Sequence, residues 1–321
     1  MRRIGQQLHH PTSLPGQTDT VHVALVHNKQ AGSRSHSDDD LVGLLRDFGH
    51  SVEVFGKARA DILRALRSRP GVLIASGGDG TVAKVAIAAC GMDVPIFILP
   101  TGTSNNIARA VGAHGTIPTL VERMASARLS RLDVGRIAGD GHEGNFVEAA
   151  GTGFIGAMLA EGQRPSVRFA SAVRGKLMRG RDHWVSTAER VAEHVRSEPA
   201  RYYNIVADGR DLSGEYIAVE AMNIASIGPR IRLAPDADPG DGQLELVLAH
   251  PDDRDALASY IETRGATADR PPVTIHRVRT VEMDWPSAEA HLDDELWPPD
   301  VRDRSLRMTI DIVGFARVLV D

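Results

Sequence analysis

The sequence predicts an α/β domain whose parallel sheet is covered by helices, followed by a second, β-rich domain. Two observations carry this, and a third locates the site. From Val21 to Val111, short apolar runs alternate with segments whose apolar residues recur at helical spacing. From near Leu132 onward, closely spaced strand-like runs replace that alternation. Two glycine-rich loops, Gly77-Gly78-Asp79-Gly80-Thr81 and Pro100-Thr101-Gly102-Thr103-Ser104-Asn105-Asn106, follow neighbouring strands on the same side.

In chain order, Met1 to Thr20 carries Arg2 and Arg3 but no apolar core, so it reads as a flexible tail and not a signal peptide. Val21 to Val26 is a strand, broken by the turn residues His27 to Ser33. Asp38 to Phe48 fits a helix capped by its acidic run, with Leu41, Leu44 and Leu45 inward and Gly49 closing it. Ser51 to Phe55 is a strand and Ala60 to Arg67 a helix. Val72 to Ala75 is a strand that stops at the first glycine loop, and Val82, Val85, Ala86 and Ala89 mark the helix behind it. Val94 to Leu99 and Ile107 to Val111 repeat the unit around the second loop. Ligands of such sheets sit at the carboxyl ends of the strands, where both loops lie.

The second domain is expected from about residue 135 to 321, after the α/β domain over 21–134, with the last strand free to return to the first domain. Its strands are read at Leu132 to Ala138, Asn145 to Ala150, Tyr202 to Val206, Tyr216 to Ile224, Leu244 to Leu248, Val278 to Met283, Leu306 to Ile312 and Ala316 to Val320. Gly151-Thr152-Gly153-Phe154-Ile155-Gly156 spells G-x-G-x-x-G. The acidic ribose partner that a dinucleotide site needs about 20 residues on is missing, since Gln163 to Arg181 contains no acid. That same stretch holds Arg164, Arg168, Arg174, Lys176, Arg179 and Arg181. As a helix it would suit an anionic bilayer surface, but Arg174 and Arg181 fall near its apolar stripe, and a solvated excursion or a cover over the site reads as well.

The glycines let backbone N–H groups approach an anion, and the helix N-termini behind both loops add a field that favours negative charge. That combination suits phosphate. Asp79 would repel a phosphate unless it meets a metal, a hydroxyl or a ribose.

GGDGT at Gly77 to Thr81, followed by PTGTSNN at Pro100 to Asn106, resembles the catalytic domain of the diacylglycerol kinase and sphingosine kinase superfamily, in its bacterial lipid-kinase branch. That family reads P-x-G-T-x-N-D at the second loop, so Asn106 replaces its aspartate. The resemblance implies a fold shared with NAD kinases, with an antiparallel β-sandwich as second domain and the active site between the two. It implies nucleotide contacts from Asn28, Gly32, Gly77, Gly78, Gly80, Thr81, Gly102, Thr103 and Asn105. Asn28 and Gly32 match the family's N-P-x-x-G turn, with Lys29 in place of its proline. The segment Gly151 to Phe154 matches a G-x-G-F of the family. Pro235, Ala237, Asp241, Gly242 and Leu244 match its P-x-A-x-x-x-D-G-x-L turn, which implies Asp241 as a ligand of a structural magnesium ion. Ala290 to Trp297 resembles its D-G-E segment, with Asp294 in place of glycine. Glu295 then aligns with the family's general base, and Asp79 shares the catalytic role by holding Mg²⁺ or orienting the acceptor; which of the two acids is the base is left open by the sequence. ATP and Mg²⁺ are the implied cofactors and a lipid alcohol the implied partner. Peripheral membrane contact and a homodimer stay open.

Composition narrows the rest. With 42% hydrophobic and 25% charged residues over 321, the chain is ordinary globular material. A net charge of -5 gives no global attraction to nucleic acid or anionic membrane. The single cysteine, Cys90, excludes an internal disulfide and is expected as a small buried hydrophobe in a helix, which fits a cytoplasmic protein touching a membrane from its inner face at most. There is no G-x-x-x-x-G-K-[ST] loop, and none of the 13 histidines stands at a zinc spacing. The competing readings are an NAD kinase, which is expected to carry G-N-L-G-F and an N-E pair instead, a catalytically weakened nucleotide- or lipid-binding protein, and a dehydrogenase.

Overall fold

The computed structural model describes residues 20–32, 36–163, 181–265, 269–285, 289–297 and 305–320. The N-terminal tail and the basic stretch from Arg164 to Arg181, with the proposed membrane contact, lie outside the described residues or the described side chains. The first part runs β1 (His22–His27), α1 (Asp38–Asp47), β2 (Ser51–Phe55), α2 (Arg59–Arg67), β3 (Val72–Gly77), α3 (Asp79–Ala89), β4 (Ile96–Pro100), α4 (Asn106–Ala110) and α5 (Ile117–Arg123). It continues with β5 (Arg128–Gly139), β6 (His142–Phe146), β7 (Ala149–Gly153), α6 (Phe154–Gln163), α7 (Arg181–Ser197), β8 (Arg201–Ala207), β9 (Arg210–Asp211), β10 (Gly214–Tyr216) and β11 (Ala218–Met222). The rest is β12 (Ser226–Ile227), β13 (Ile231–Arg232), β14 (Leu244–Ala249), α8 (Arg254–Thr263), β15 (Thr274–Val278), β16 (Thr280–Trp285), β17 (Ala290–Leu292), β18 (Glu295–Leu296) and β19 (Leu306–Val320).

The N-terminal lobe is a parallel sheet ordered β4-β3-β1-β2. β1, β3 and β4 are buried on both faces, as continuous runs such as Val72-Leu73-Ile74-Ala75 require, while β2 is an exposed edge strand. One face packs Leu73, Ala75 and Ile98 against Val82, Val85 and Ala86 of α3. The other packs Leu25, Ile74 and Leu99 against Leu41 and Leu45 of α1 and Leu120 of α5. α1 starts on a capping box in which Ser37 accepts from Asp40 N and Asp40 accepts from Ser37 N.

The C-terminal lobe is antiparallel. Its second sheet runs β15-β14-β11-β7-β17-β18. That sheet faces β8, β16 and the first half of β19 across a core of Tyr203, Met283, Met308, Leu246 and Val219, which makes a β-sandwich. Its outer face is covered by helices that bring Phe154, Val191 and Leu257 onto Met222 and Val247.

β19 joins the lobes. Over fifteen residues it pairs antiparallel with β16 and β5, and its end, Val318 and Leu319, pairs parallel with Ile96 and Phe97 of β4.

The structure corrects several sequence boundaries. Leu306 to Ile312 and Ala316 to Val320 are one strand with an irregularity at Ile312/Gly314, where Gly314 leaves room for the Cys90 sulfur. Cys90 itself lies just past the end of α3 and is half-buried, not inside the helix. Asn145 to Ala150 is broken between β6 and β7. α5 lay inside a stretch read as connection, although Thr116, which accepts from Thr119 N, and Pro118 in the first turn both signal a helix start. Helices α7 and α8 interrupt a region read only for strands.

Candidate active site

Three loops meet at the carboxyl ends of β1, β3 and β4. In the first, Asn28 N donates to Ser76 O (2.9 Å) and its Oδ1 accepts from Gln30 N (3.1 Å), closing a turn. Gly32 has φ +50, and a Cβ there would strike the Thr101 carbonyl, so the glycine lets the first loop lie against the third. In the second, Gly78 is the N-cap of α3 and Asp79 its first residue. A Cβ on Gly77 would run into Thr81, whose side chain is buried beneath the loop. In the third, a Cβ on Gly102 would run into the Cα of Gly78. Glycine at both positions is what lets the second and third loops touch.

The third loop is held by its own side chain. Asn105, at φ +51, accepts from Gly102 N (3.0 Å) and donates to Gly102 O (3.0 Å) and Pro100 O (3.4 Å). Asn105 and the Gly102 amide therefore serve the loop's shape. Thr103 presents its carbonyl to Arg230 Nη2 and Ser104 its carbonyl to Arg230 Nε, both at 3.2 Å.

Asp79 ties the second loop to the third. Its Oδ1 accepts from Ile107 N (2.9 Å) at the start of α4, and Asn105 and Asn106 amides also stabilise it. Burial is the larger influence and raises its pKa above the ordinary carboxylate value, with the Asp294 charge acting the same way.

The C-terminal lobe brings a row of acids to this place on the β17–β18 hairpin. Asp293 is half-buried and accepts from Val147 N (3.0 Å), Glu148 N (2.7 Å) and Ala149 N (3.3 Å). Burial still outweighs these donors and pushes its pKa up to about 6. These bonds are why the run Asn145 to Ala150 breaks. Asp294 stands beside Gly80, whose missing side chain makes the room. Glu295 is exposed and pairs with Lys84 of α3 at 2.9 Å, a contact between the lobes. A second contact between them is Asn106 Nδ2 donating to Gly228 O at 2.9 Å.

The structure thus brings together Asp79, Glu295 and the three loops, and adds Lys84, Arg230, Glu148 and Asp293, which sequence reasoning had not singled out. Glu148 had a signal: it is an acid inside the apolar run Phe146 to Ala150. Lys84 and Arg230 had none, since a lone basic residue on a helix or loop is ordinary. Asp241 lies elsewhere, in the turn before β14. Its Oδ1 accepts from Gln243 N (2.8 Å) and its Oδ2 is ion-paired with Arg277. No group of three or more His, Cys, Asp or Glu side chains able to hold a metal occurs among the described residues. A magnesium ion at Asp241 would have to displace Arg277 and draw its other ligands from carbonyls, so the residues present do not form a ready site. Gly151 to Gly156 forms the β7–α6 corner, with Gly153 at φ +108 against the Ile217 carbonyl.

Glycine loops at parallel strand ends, faced by acids from an antiparallel lobe, define a two-lobed protein with its candidate site at the seam. Comparison with known proteins gives the family. Residues 22–137 match the diacylglycerol kinase catalytic domain, and residues 172–299 match the YegS C-terminal NAD kinase beta sandwich-like domain. A diacylglycerol kinase of Mycobacterium tuberculosis (strain H37Rv) is 27% identical over 256 residues, 77% of this chain and 79% of that protein. A Pseudomonas aeruginosa PAO1 protein described as "Probable lipid kinase YegS-like" is 27% identical over 239 residues, 72% of this chain and 73% of that protein. A crystal structure of a diacylglycerol kinase from Bacillus anthracis str. Sterne shares the fold, with a TM-score of 0.66 at 15% identity over 95% of this chain and 98% of that one. The chain belongs to the diacylglycerol kinase superfamily, in its bacterial lipid-kinase branch, a family of phosphotransferases acting on alcohol groups.

Proposed function

We propose that the protein is an ATP-dependent lipid kinase that moves the γ-phosphoryl group of ATP onto a hydroxyl of a lipid alcohol, diacylglycerol-like or sphingoid-like. The observation that supports this most is the contact of two glycine loops, Gly78 against Gly102, directly beside the acid-bearing β17–β18 hairpin. Phosphoryl transfer is chiefly positioning and charge neutralisation, and a strand-end cradle facing acids from a second lobe supplies both. The Gly78 and Thr103 amides and the N-terminus of α3 would receive phosphate oxygens. Asn28, Gly32, Gly77, Gly80, Thr81, Gly102 and Asn105 act by shaping the three loops. Mg²⁺ would arrive with the nucleotide and neutralise its charge, with Asp79 the carboxylate nearest the loops.

Glu295 is exposed, so an acceptor hydroxyl can reach it, and Lys84 fixes its position. The lipid is inferred from the relatives, which are named for diacylglycerol and for lipid. No helix among the described residues is long and apolar enough to cross a membrane, so the substrate would be taken from a bilayer surface. The test is incubation with labelled ATP and a panel of lipid alcohols in mixed micelles. Label in a lipid product is expected; ATP binding without label in any lipid would replace this reading by that of a nucleotide- or lipid-binding protein, which Asn106 and Asp294 favour.

A further inference from the structure

Asn106 occupies the place of the carboxylate in the pattern P-x-G-T-x-N-D, yet the site is not short of a carboxylate there. Glu148, from the turn between β6 and β7, is 4% exposed, and Asn106, whose side chain acts on the Glu148 carboxyl, is 3% exposed. The Asn106 amide donates at 2.9 Å to the Gly228 carbonyl, and the same side chain lies close enough to the Glu148 carboxyl to favour its charged form. The remaining oxygens, Asn106 Oδ1 and Glu148 Oε1, are buried without a donor. Such an arrangement is costly unless it is used, because a buried acceptor without a partner loses its hydration for nothing. Glu148 is also held rigidly: its N–H donates to Asp293 Oδ1 at 2.7 Å and its carbonyl accepts from Asn223 N at 2.9 Å. The charges of Asp79, Asp293 and Asp294 all reach its carboxyl.

We propose that Glu148 is a positioning residue of the transfer site, supplying from the C-terminal lobe the carboxyl group that Asn106 lacks and holding the Asn106 amide on the Gly228 carbonyl. The pair then fixes the start of α4, to which Asp79 is bound through Ile107 N, against the opposite lobe. Moving the carboxyl to residue 148 keeps an acid near Asp79 while adding an amide bond across the seam. The proposal rests on the kinase reading of the site for its effect on turnover, and on the shared burial and unpaired oxygens of the two side chains for the pairing.

The experiment is a double-variant cycle with Glu148→Gln, Asn106→Asp and the two combined, read by thermal unfolding and by ATP-dependent phosphorylation of lipid. Glu148→Gln keeps the side-chain volume and removes the acid; it is expected to lower kcat about tenfold with the KM for ATP changed about twofold or less. Asn106→Asp sets two acids against each other and loses the donor to Gly228, and is expected to lower the unfolding midpoint by about 3 °C or more. The combined variant relieves that repulsion, so it should unfold above Asn106→Asp and turn over faster than the product of the single effects predicts. Additive effects on unfolding would overturn the pairing. A coupled pair with unchanged kcat in Glu148→Gln would overturn the positioning role. A coupled pair in a protein that phosphorylates no lipid alcohol would instead sink the kinase reading, and the positioning role with it, while leaving the pairing established.

Discussion

Replacing Asp79 separates its two tasks, because its carboxylate both caps a helix and stands among the glycine loops proposed to hold phosphate. One oxygen accepts from Ile107 N at 2.9 Å at the start of α4. Losing a capping acceptor costs about 0.5–2 kcal/mol, and leaving a buried N–H without partner raises that toward about 3 kcal/mol. Asp79→Ala should therefore lose about 2–3 kcal/mol of stability by these terms. Asp79→Asn keeps an oxygen for Ile107 N and removes a charge that burial and Asp294 both disfavour. What it forfeits is the charge–dipole attraction at a helix start, about 0.3–1 kcal/mol. The two effects oppose, and the asparagine variant should unfold within about 1 kcal/mol of the parent. Its phosphoryl transfer should nevertheless be abolished. Denaturant unfolding of both variants, beside transfer of labelled phosphate from ATP to lipid, checks this. An asparagine variant as unstable as the alanine one would show that the charge serves the fold, and full activity in it would remove Asp79 from the mechanism.

Glu295→Gln should lower turnover more than affinity for ATP in steady-state kinetics, while unfolding shifts by about 1 kcal/mol or less, because its exposed pair with Lys84 is screened by water; a raised KM with unchanged kcat would move Glu295 out of the base role. Asp293 holds its proton up to about pH 6 in the folded protein, whereas the unfolded chain releases it near pH 4. The native state thus binds the extra proton, and stability should fall as pH rises from about 4 to about 6, by roughly 3 kcal/mol at most; Glu148, also raised by burial, extends the loss upward. Unfolding midpoints measured across that range should flatten in Asp293→Asn, and an unchanged slope would reject the assignment. Gly102→Ala should cost about 1–3 kcal/mol, since its Cβ would meet the Gly78 backbone. Gly78→Ala, with its nearest neighbour at 3.2 Å, should cost less in the same unfolding assay; the reverse order would contradict the loop contact.

The parts of the fold that repeat in sequence were the legible ones. Val72 to Ala75 before a glycine turn, or Ser51 to Phe55 between helices, announces itself because local pattern and tertiary environment agree. Elements set by distant partners were not. The break at Val147 and Glu148 is imposed by the Asp293 carboxylate, some 145 positions along the chain, and no local residue signals it. Asp79 could be named from its loop and Glu295 only through the family resemblance, because the acids of the β17–β18 segment read as solvated until the hairpin is seen to place Asp293 on the Val147–Ala149 amides and Asp294 on Gly80. Asn105 shows the opposite case: its place in the loop was legible, while its use in holding Gly102 depends on a left-handed backbone that sequence does not specify.

The strand that ends at Val320 has a consequence for how this molecule is made. Ile96 and Phe97 wait for Val318 and Leu319 to complete their sheet edge, so the first half of the chain cannot finish its core until the ribosome has delivered nearly everything else. A nascent chain halted before the second half of that strand would expose the edge of β4, and is expected to need a chaperone or to aggregate there. The N-terminal lobe expressed by itself is accordingly expected to lack part of its core, Ala316, Val318 and Val320, and not to fold stably.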